Sequence, residues 1–142
     1  MKIIYTAHGT AVHGGRGNGT AATDDGKVSV KLSVPKAMGG DDGPGTNPEQ
    51  LFSIGYAACF LGAMAGAARK MSLTLDPETT VSAAVSFADR EDNVGYTIVV
   101  ALEGHIPGLE KAEAEKLMAL AHDICPYSDL IRRPHEVELS VA

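Results

Sequence analysis

Residues 51–68 read LFSIGYAACFLGAMAGAA and form a run of eighteen residues without a charged side chain. A run of this length meets the requirement for a membrane-spanning helix. Half of its residues are alanine or glycine, which add little transfer free energy compared with leucine or phenylalanine. We therefore interpret the run as the buried central helix of a soluble domain, with a membrane span as the less favoured alternative. The small residues expected to let neighbouring backbone approach closely are Gly55, Cys59, Gly62 and Gly66.

The residues on either side of this run mark where the helix begins and ends. Asn47 is a good N-cap, Pro48 suits the first helical position, and Gln50 follows three residues after the cap. Glu49 lies in the first turn, where a carboxylate stabilises the positive end of the helix dipole by about 0.3 to 1 kcal/mol. Basic residues at the other end predict that the helix stops at about Lys70.

Alternation of apolar and polar residues predicts strands on both sides of this helix. Residues 12–22 and 27–34 are expected to form a hairpin around residues 24–26, because the Asp-Gly pair tolerates positive φ. The other predicted elements are strands at 2–8 and 135–141, an antiparallel pair at 80–89 and 96–105, a helix at 110–123 and a short helix at 126–131. These elements predict one α+β domain over residues 1–142, with antiparallel sheets around a long buried central helix.

Composition narrows the class of function. The chain has 12 Lys and Arg against 18 Asp and Glu, a net charge of −6, which argues against a nucleic-acid partner. No basic segment precedes an apolar stretch at the N-terminus, so we expect a cytoplasmic protein without a secretory signal and without membrane association. In a reducing compartment the two cysteines are more often catalytic, redox-active or metal-binding than a permanent disulfide.

The two cysteines lie in different local settings. Cys125 comes directly before Pro126, the first residue of the predicted short helix, and a helix N-terminus lowers the pKa of a thiol. A simply packed thiol fits this spacing equally well. Cys59 lies about three turns inside its helix, so its activation requires a cation from elsewhere. Arg16, in the glycine-rich GGRG at residues 14–17, is a candidate, although local sequence alone favours an ordinary exposed strand arginine.

Four segments in order carry a resemblance over nearly the whole chain: GGR at 14–16, GTNPEQLF at 45–52, GYAACF at 55–60 and CPYS at 125–128. Together they resemble the organic hydroperoxide resistance proteins, which belong with the osmotically inducible protein C family. Arg16 and Tyr56 point to the hydroperoxide resistance branch. Each segment alone is weak, whereas four in the right order are specific.

The resemblance implies a cysteine-based peroxidase. Cys59 would attack an organic hydroperoxide, release the alcohol and become a sulfenic acid, which Cys125 would resolve as a disulfide. Arg16, held in place by donating bidentate hydrogen bonds to Glu49, would stabilise the thiolate and the developing alkoxide. Neither a cofactor nor a metal is implied.

The resemblance also implies a substrate class and partners. An apolar pocket would favour fatty-acid or aromatic hydroperoxides over hydrogen peroxide, and its expected lining includes Phe52, Tyr56, Phe60 and Tyr127. These aromatic residues fit a core equally well. An intertwined homodimer and re-reduction by dihydrolipoyl groups on a lipoylated carrier protein are the further expectations.

Two other functions compete with the peroxidase. Cys59, Cys125, His105 and His122 include the donor types of a zinc site, but the cysteines stand 66 positions apart and lack the close pairs typical of structural zinc. The second is a non-enzymatic module of the same fold that carries an apolar ligand.

Overall fold

The structure, a computed structural model, describes residues 1–133 and 135–142. Its internal contacts divide the chain into two compact units, Met1–Leu51 and Phe52–Ala142, each of which is described by itself. The single domain expected over residues 1–142 stays a prediction.

The first unit contains a three-stranded antiparallel sheet. Its strands are β1 (Gly9–Val12), β2 (Thr20–Thr23) and β3 (Ser29–Lys31), hydrogen-bonded in the order β1-β2-β3. The turn after β2 confirms the predicted hairpin: the Asp25 side chain accepts hydrogen bonds from the Thr23 hydroxyl and the Lys27 N–H. A short 3-10 helix, Lys36–Met38, follows.

Two strand predictions in this unit are wrong. Residues 12–22 are not one strand, because His13, Gly14 and Gly15 all have positive φ, at 55°, 87° and 53°. Extended backbone has negative φ, so the chain turns here and returns as β2. The turn requires Gly19, where a Cβ would lie 2.1 Å from the Val12 carbonyl oxygen. Residues 2–8 are exposed and not in a strand, since no strand in the described part of the chain pairs with them.

Helix α1 spans Pro48–Lys70, as predicted at both ends. The Asn47 Oδ1 accepts a hydrogen bond from the Gln50 N–H at 2.9 Å, which is the expected cap. The Gln50 side chain accepts a hydrogen bond from the Thr46 hydroxyl at 2.7 Å. This cap fixes the first turn, where Glu49 lies.

In the second unit α1 buries one face. Its buried residues recur at helical spacing and are Tyr56, Phe60, Met64, Ala67 and Ala68. On the opposite side Ile54 is 66% exposed. The predicted close approach of backbone is found at Cys59, which the Tyr127 N–H reaches, and not at two of the glycines: a Cβ at Gly55 would lie 3.1 Å from the Tyr127 hydroxyl oxygen, and a Cβ at Gly62 would meet nothing within 4 Å.

By length and composition α1 would also be able to cross a membrane. The core helix of a soluble protein passes the same test, so one such helix is weak evidence for a span. In the structure 28% of the most apolar 18-residue stretch of α1 is buried. The prediction that the chain does not associate with a membrane therefore stays a prediction.

The rest of the second unit matches the sequence except at its end. Strands β4 (Thr80–Asp89) and β5 (Tyr96–His105) pair antiparallel along their whole length, and helices α2 (Lys111–Ile124) and α3 (Pro126–Arg132) follow. Val81, Ala83, Val100 and Leu102 face the core. The strand predicted at 135–141 is wrong, since these residues are exposed and pair with no strand in the described part of the chain. The α+β class with a long central helix is confirmed.

The cap at Asn47 gives a test of what starts α1. Asn47→Ala is expected to lower the free energy of unfolding by about 0.5 to 2 kcal/mol, because the Gln50 N–H loses its acceptor. Asn47→Asp keeps an acceptor at the same place and is expected to retain most of the stability. Urea unfolding of the three proteins measures the difference, and equal midpoints for native protein and Asn47→Ala would contradict the role of the cap.

Candidate active site

The two cysteines meet within the second unit. Cys59 lies on α1 and Cys125 at the junction of α2 and α3, and their Sγ atoms are 3.6 Å apart. Both thiols are free, and the Cys125 thiol donates toward the Cys59 sulfur. A disulfide needs about 2.05 Å between the sulfurs, so a small movement closes the pair.

The environment of Cys59 favours the neutral thiol. Burial raises the pKa of Cys59 above its ordinary value, and the neighbouring Cys125 raises it further. A hydrogen bond from the Tyr127 backbone N–H opposes this by lowering the pKa of the Cys59 thiol. The N-terminal end of α3 therefore stabilises the thiolate of Cys59 on α1. The Cys125 side chain makes no capping hydrogen bond to α3 itself.

The backbone at Cys125 serves two helices. Its N–H donates to the Ala121 carbonyl, which ends α2, and its carbonyl accepts from the Asp129 N–H, which begins α3, each at 2.9 Å. Pro126 enforces this change of direction because the residue before a proline is driven to extended backbone, and Cys125 has φ −71° and ψ 125°. The thiol is thereby placed at a fixed corner, fully buried.

A buried hydroxyl ties this corner to α1. The Ser128 Oγ lies 2.8 Å from the Tyr56 hydroxyl on α1 and 2.9 Å from His122 Nδ1 on α2. Arg132 on α3 makes a second connection to α2, since its Nη2 donates to the carbonyls of His122 and Asp123 near the end of α2. These contacts hold α3 against both longer helices.

Sequence reasoning assigned no role to this network. In the sequence Ser128 is only part of the CPYS segment, and His122 is only a candidate zinc ligand. The spacing nevertheless places Ser128 near Cys125. A serine three residues after the N-cap position lies one turn inside the helix, on the same face as the capping residue. Its partner Tyr56 is 72 positions away, which no local pattern reveals.

Arg16 and Glu49 form an ion pair within the first unit. The guanidinium donates two parallel hydrogen bonds, Nη1 to Oε2 at 2.9 Å and Nη2 to Oε1 at 2.6 Å. The Arg16 side chain is 37% exposed and the Glu49 side chain 12%. The Arg16 hydrogen bonds lower the pKa of Glu49, and those same bonds raise the pKa of Arg16. The bidentate pair that the resemblance implied is thus present, and a role for it in catalysis stays a prediction.

The four aromatic residues expected to line a pocket lie together. The Phe52, Tyr56 and Tyr127 rings have centroids 5.6 to 5.8 Å apart, and the Phe60 ring is 6.4 Å from Tyr56. A mainly apolar cavity of about 520 Å³ is lined by Tyr56, Phe60, Ile98, Val100, Leu102, Met118, Ala119, His122 and Ile131. Neither Phe52 nor Tyr127 is in this lining, and substrate binding by the four aromatic residues stays a prediction.

The zinc alternative gains no support. Among residues 1–133 and 135–142, no group of three or more His, Cys, Asp or Glu side chains could hold a metal ion. The Nδ1 of His122 is hydrogen-bonded to Ser128.

Comparison with known proteins gives one family. The family model described as OsmC-like protein matches residues 39–140. The chain is 45% identical over 141 residues to an organic hydroperoxide resistance protein of Xanthomonas axonopodis pv. citri, covering 99% of this chain and 96% of that protein. It is 37% identical to organic hydroperoxide resistance protein OhrB of Bacillus subtilis, covering 97% and 98%.

Solved structures agree. A crystal structure of an organic hydroperoxide resistance protein from Legionella pneumophila matches with a TM-score of 0.83 and 44% identity, over 92% of each chain. The chain belongs to the OsmC-like family and, within it, to the organic hydroperoxide resistance proteins, as its four sequence segments predicted.

Proposed function

We propose that this protein is a thiol peroxidase that reduces organic hydroperoxides to alcohols. The Cys59 sulfur attacks the terminal oxygen, the O–O bond breaks, the alcohol leaves and Cys59 becomes a sulfenic acid. The Cys125 thiol then condenses with it, releasing water and forming the Cys59–Cys125 disulfide. The observation that carries this proposal is the 3.6 Å distance between the two sulfurs. Relatives named for organic hydroperoxide resistance support the substrate.

The attack requires the Cys59 thiolate, which burial disfavours. We assign the compensating positive charge to Arg16, with Glu49 as the residue that orients it. The bidentate geometry supports this role, because two parallel hydrogen bonds fix the plane of the guanidinium. A fixed cation stabilises both the thiolate and the alkoxide that develops as the O–O bond breaks.

The apolar surroundings favour an alkyl or aromatic hydroperoxide over hydrogen peroxide. The Phe52, Tyr56 and Tyr127 rings cluster beside the corner that carries Cys125, and the cavity lined by Tyr56 and Phe60 is mainly apolar. Burying an apolar group makes binding more favourable in proportion to the area removed from water. Hydrogen peroxide has no apolar group to bury.

The active form proposed is an intertwined homodimer in the cytoplasm. Large apolar side chains stay exposed in the single chain at both ends, including Ile3, Ile4, Tyr5, Val137 and Leu139. Large exposed apolar surface marks a site of association. These residues lie at 2–8 and 135–141, which pair with no strand in the described part of the chain, and a second copy would supply a surface that covers them.

A non-enzymatic carrier of an apolar ligand is the second candidate. The cavity of about 520 Å³ favours it, because the cavity is large enough for a small ligand and its lining includes neither cysteine. Under this reading native protein would bind an apolar hydroperoxide without consuming it.

The first prediction concerns the thiols. One equivalent of cumene hydroperoxide is expected to remove both free thiols of the reduced native protein and to lower its mass by two hydrogens. Cys125→Ser is expected to stop at a sulfenic acid that dimedone traps, and Cys59→Ser to lose turnover entirely. Thiol titration and intact-mass spectrometry measure these outcomes. Survival of both thiols in native protein would favour the carrier.

The second prediction separates the effect of burial on the Cys59 pKa from the effect of the Arg16 charge. In a Cys125→Ser background, the pH midpoint for alkylation of Cys59 is expected to rise when Arg16→Gln removes the cation, because nothing from Arg16 then offsets the burial that raises the pKa of the thiol. The same substitution in the two-cysteine protein is expected to lower kcat/KM by about 10²- to 10³-fold. Arg90→Gln, at an exposed arginine on the turn between β4 and β5, is the matched control. An unmoved midpoint would contradict the role of Arg16.

The third prediction concerns the reductant, which we propose is a dihydrolipoyl group on a lipoylated carrier protein. Such a dithiol resolves its own mixed disulfide at high effective concentration and has an apolar chain that suits the cluster of rings. Dihydrolipoamide is expected to sustain peroxide turnover at concentrations where glutathione does not. Equal rates with both reductants, at equal thiol concentration, would contradict this preference.

A further inference from the structure

The Ser128 hydroxyl is the point where all three helices of the second unit meet. It contacts Tyr56 on α1 and His122 on α2, and it belongs to α3. Ser128 is fully buried and Tyr56 is 2% exposed, so solvent does not replace a partner that either hydroxyl loses, whereas His122 is only partly buried.

The position of this contact along the chain relates it to both sulfurs. Tyr56 stands three residues before Cys59, and Ser128 stands three residues after Cys125. Three residues make nearly one turn of helix, about 4.5 Å of rise. The Tyr56–Ser128 hydrogen bond therefore links α1 to α3 about one helical turn away from the contact between the two thiols.

The hydroxyl can satisfy both neighbours at once. A serine hydroxyl offers one donor and two acceptor positions. Ser128 accepts from Tyr56 while donating to an unprotonated Nδ1 of His122, or accepts from an Nδ1–H while donating to the Tyr56 oxygen. Removing the hydroxyl leaves two polar groups without this partner, and an unmade hydrogen bond at a buried site is costly.

Helix α3 depends on such side-chain contacts. It has seven residues, and a helix this short is not stable by itself. Its N-terminal end carries Cys125 and the Tyr127 N–H that reaches Cys59. A rotation of α3 would change the distance between the two sulfurs, so the contacts that fix α3 also affect the rate at which the disulfide closes.

We propose that Ser128 is a positioning residue, whose hydrogen bonds to Tyr56 and His122 hold α3 so that the Cys125 sulfur stays within closing distance of Cys59. This inference rests on the proposed peroxidase cycle. It concerns the second chemical step, in which the sulfenic oxygen leaves as water while the sulfur–sulfur bond forms. Attack on the peroxide by Cys59 does not use the Cys125 sulfur.

The test is a single turnover with one equivalent of cumene hydroperoxide, quenched at intervals with dimedone and analysed by intact mass. Ser128→Ala is expected to slow disulfide closure about tenfold while sulfenic acid formation changes by less than about threefold. Dimedone adduct would then accumulate in the variant and not in the native protein. Closure at the native rate would overturn the proposal, and so would an equal slowing of both steps.

Tyr56→Phe keeps the ring and removes only the hydroxyl, so it gives a second variant with intact packing. It is expected to slow closure in the same direction. Because Tyr56 acts through Ser128, the double variant is expected to close no more slowly than Ser128→Ala alone. Tyr96→Phe, at a 64% exposed tyrosine on β5, is the matched control. Additive effects of Tyr56→Phe and Ser128→Ala would overturn the coupling.

A thiol–disulfide equilibrium tests the positioning role of Ser128 independently of peroxidase activity. In mixtures of reduced and oxidised dithiothreitol, Ser128→Ala is expected to lower the equilibrium constant for the Cys59–Cys125 disulfide about tenfold, since the thiols lose their preset approach. No peroxide is involved. An unchanged constant would overturn the positioning role even if turnover is confirmed, whereas failure of native protein to react with peroxide would overturn the proposed function alone.

Discussion

The contact of α1 with the corner between α2 and α3 is the interaction on which the candidate site depends. Cys59 and Cys125 are 66 positions apart in sequence, and their sulfurs reach 3.6 Å only because this corner packs against the central helix. A proline forces the corner, and the Ser128 hydroxyl fastens it to Tyr56. Apolar packing brings the helices together, and directional hydrogen bonds set how they face each other.

Burial and reactivity oppose each other at Cys59. Partial burial raises the pKa of the thiol, so a thiolate near neutral pH requires a compensating group. The Tyr127 N–H provides part of this compensation from within the second unit. Under the proposed function Arg16 provides the rest, as a charge that no titration near neutral pH removes.

Local patterns predicted the elements whose determinants are local. The cap at Asn47 gave the start of α1, and alternation along β4 together with the turn at residues 90–95 gave the antiparallel pair β4 and β5. The strand predictions failed at residues 2–8 and 135–141, because a local pattern shows that a segment can be a strand and not that an edge is available to it. At residues 12–22, positive φ at consecutive positions overrode the pattern. The Ser128 network was missed because its partner on α1 is distant in sequence.

The ion pair between Arg16 and Glu49 depends on where α1 begins. A bidentate hydrogen bond to Arg16 lowers the pKa of Glu49, so the pair stabilises the folded state above the ordinary carboxyl pKa of about 4.3 and loses this contribution as the pH falls through the lowered value. An oriented guanidinium thus requires Glu49 to stay ionised, and Glu49 has its place because Asn47 begins α1 one residue before Pro48. Under the proposed function, the position of the charge that makes the half-buried Cys59 thiol reactive therefore depends on the cap of the helix that carries that thiol.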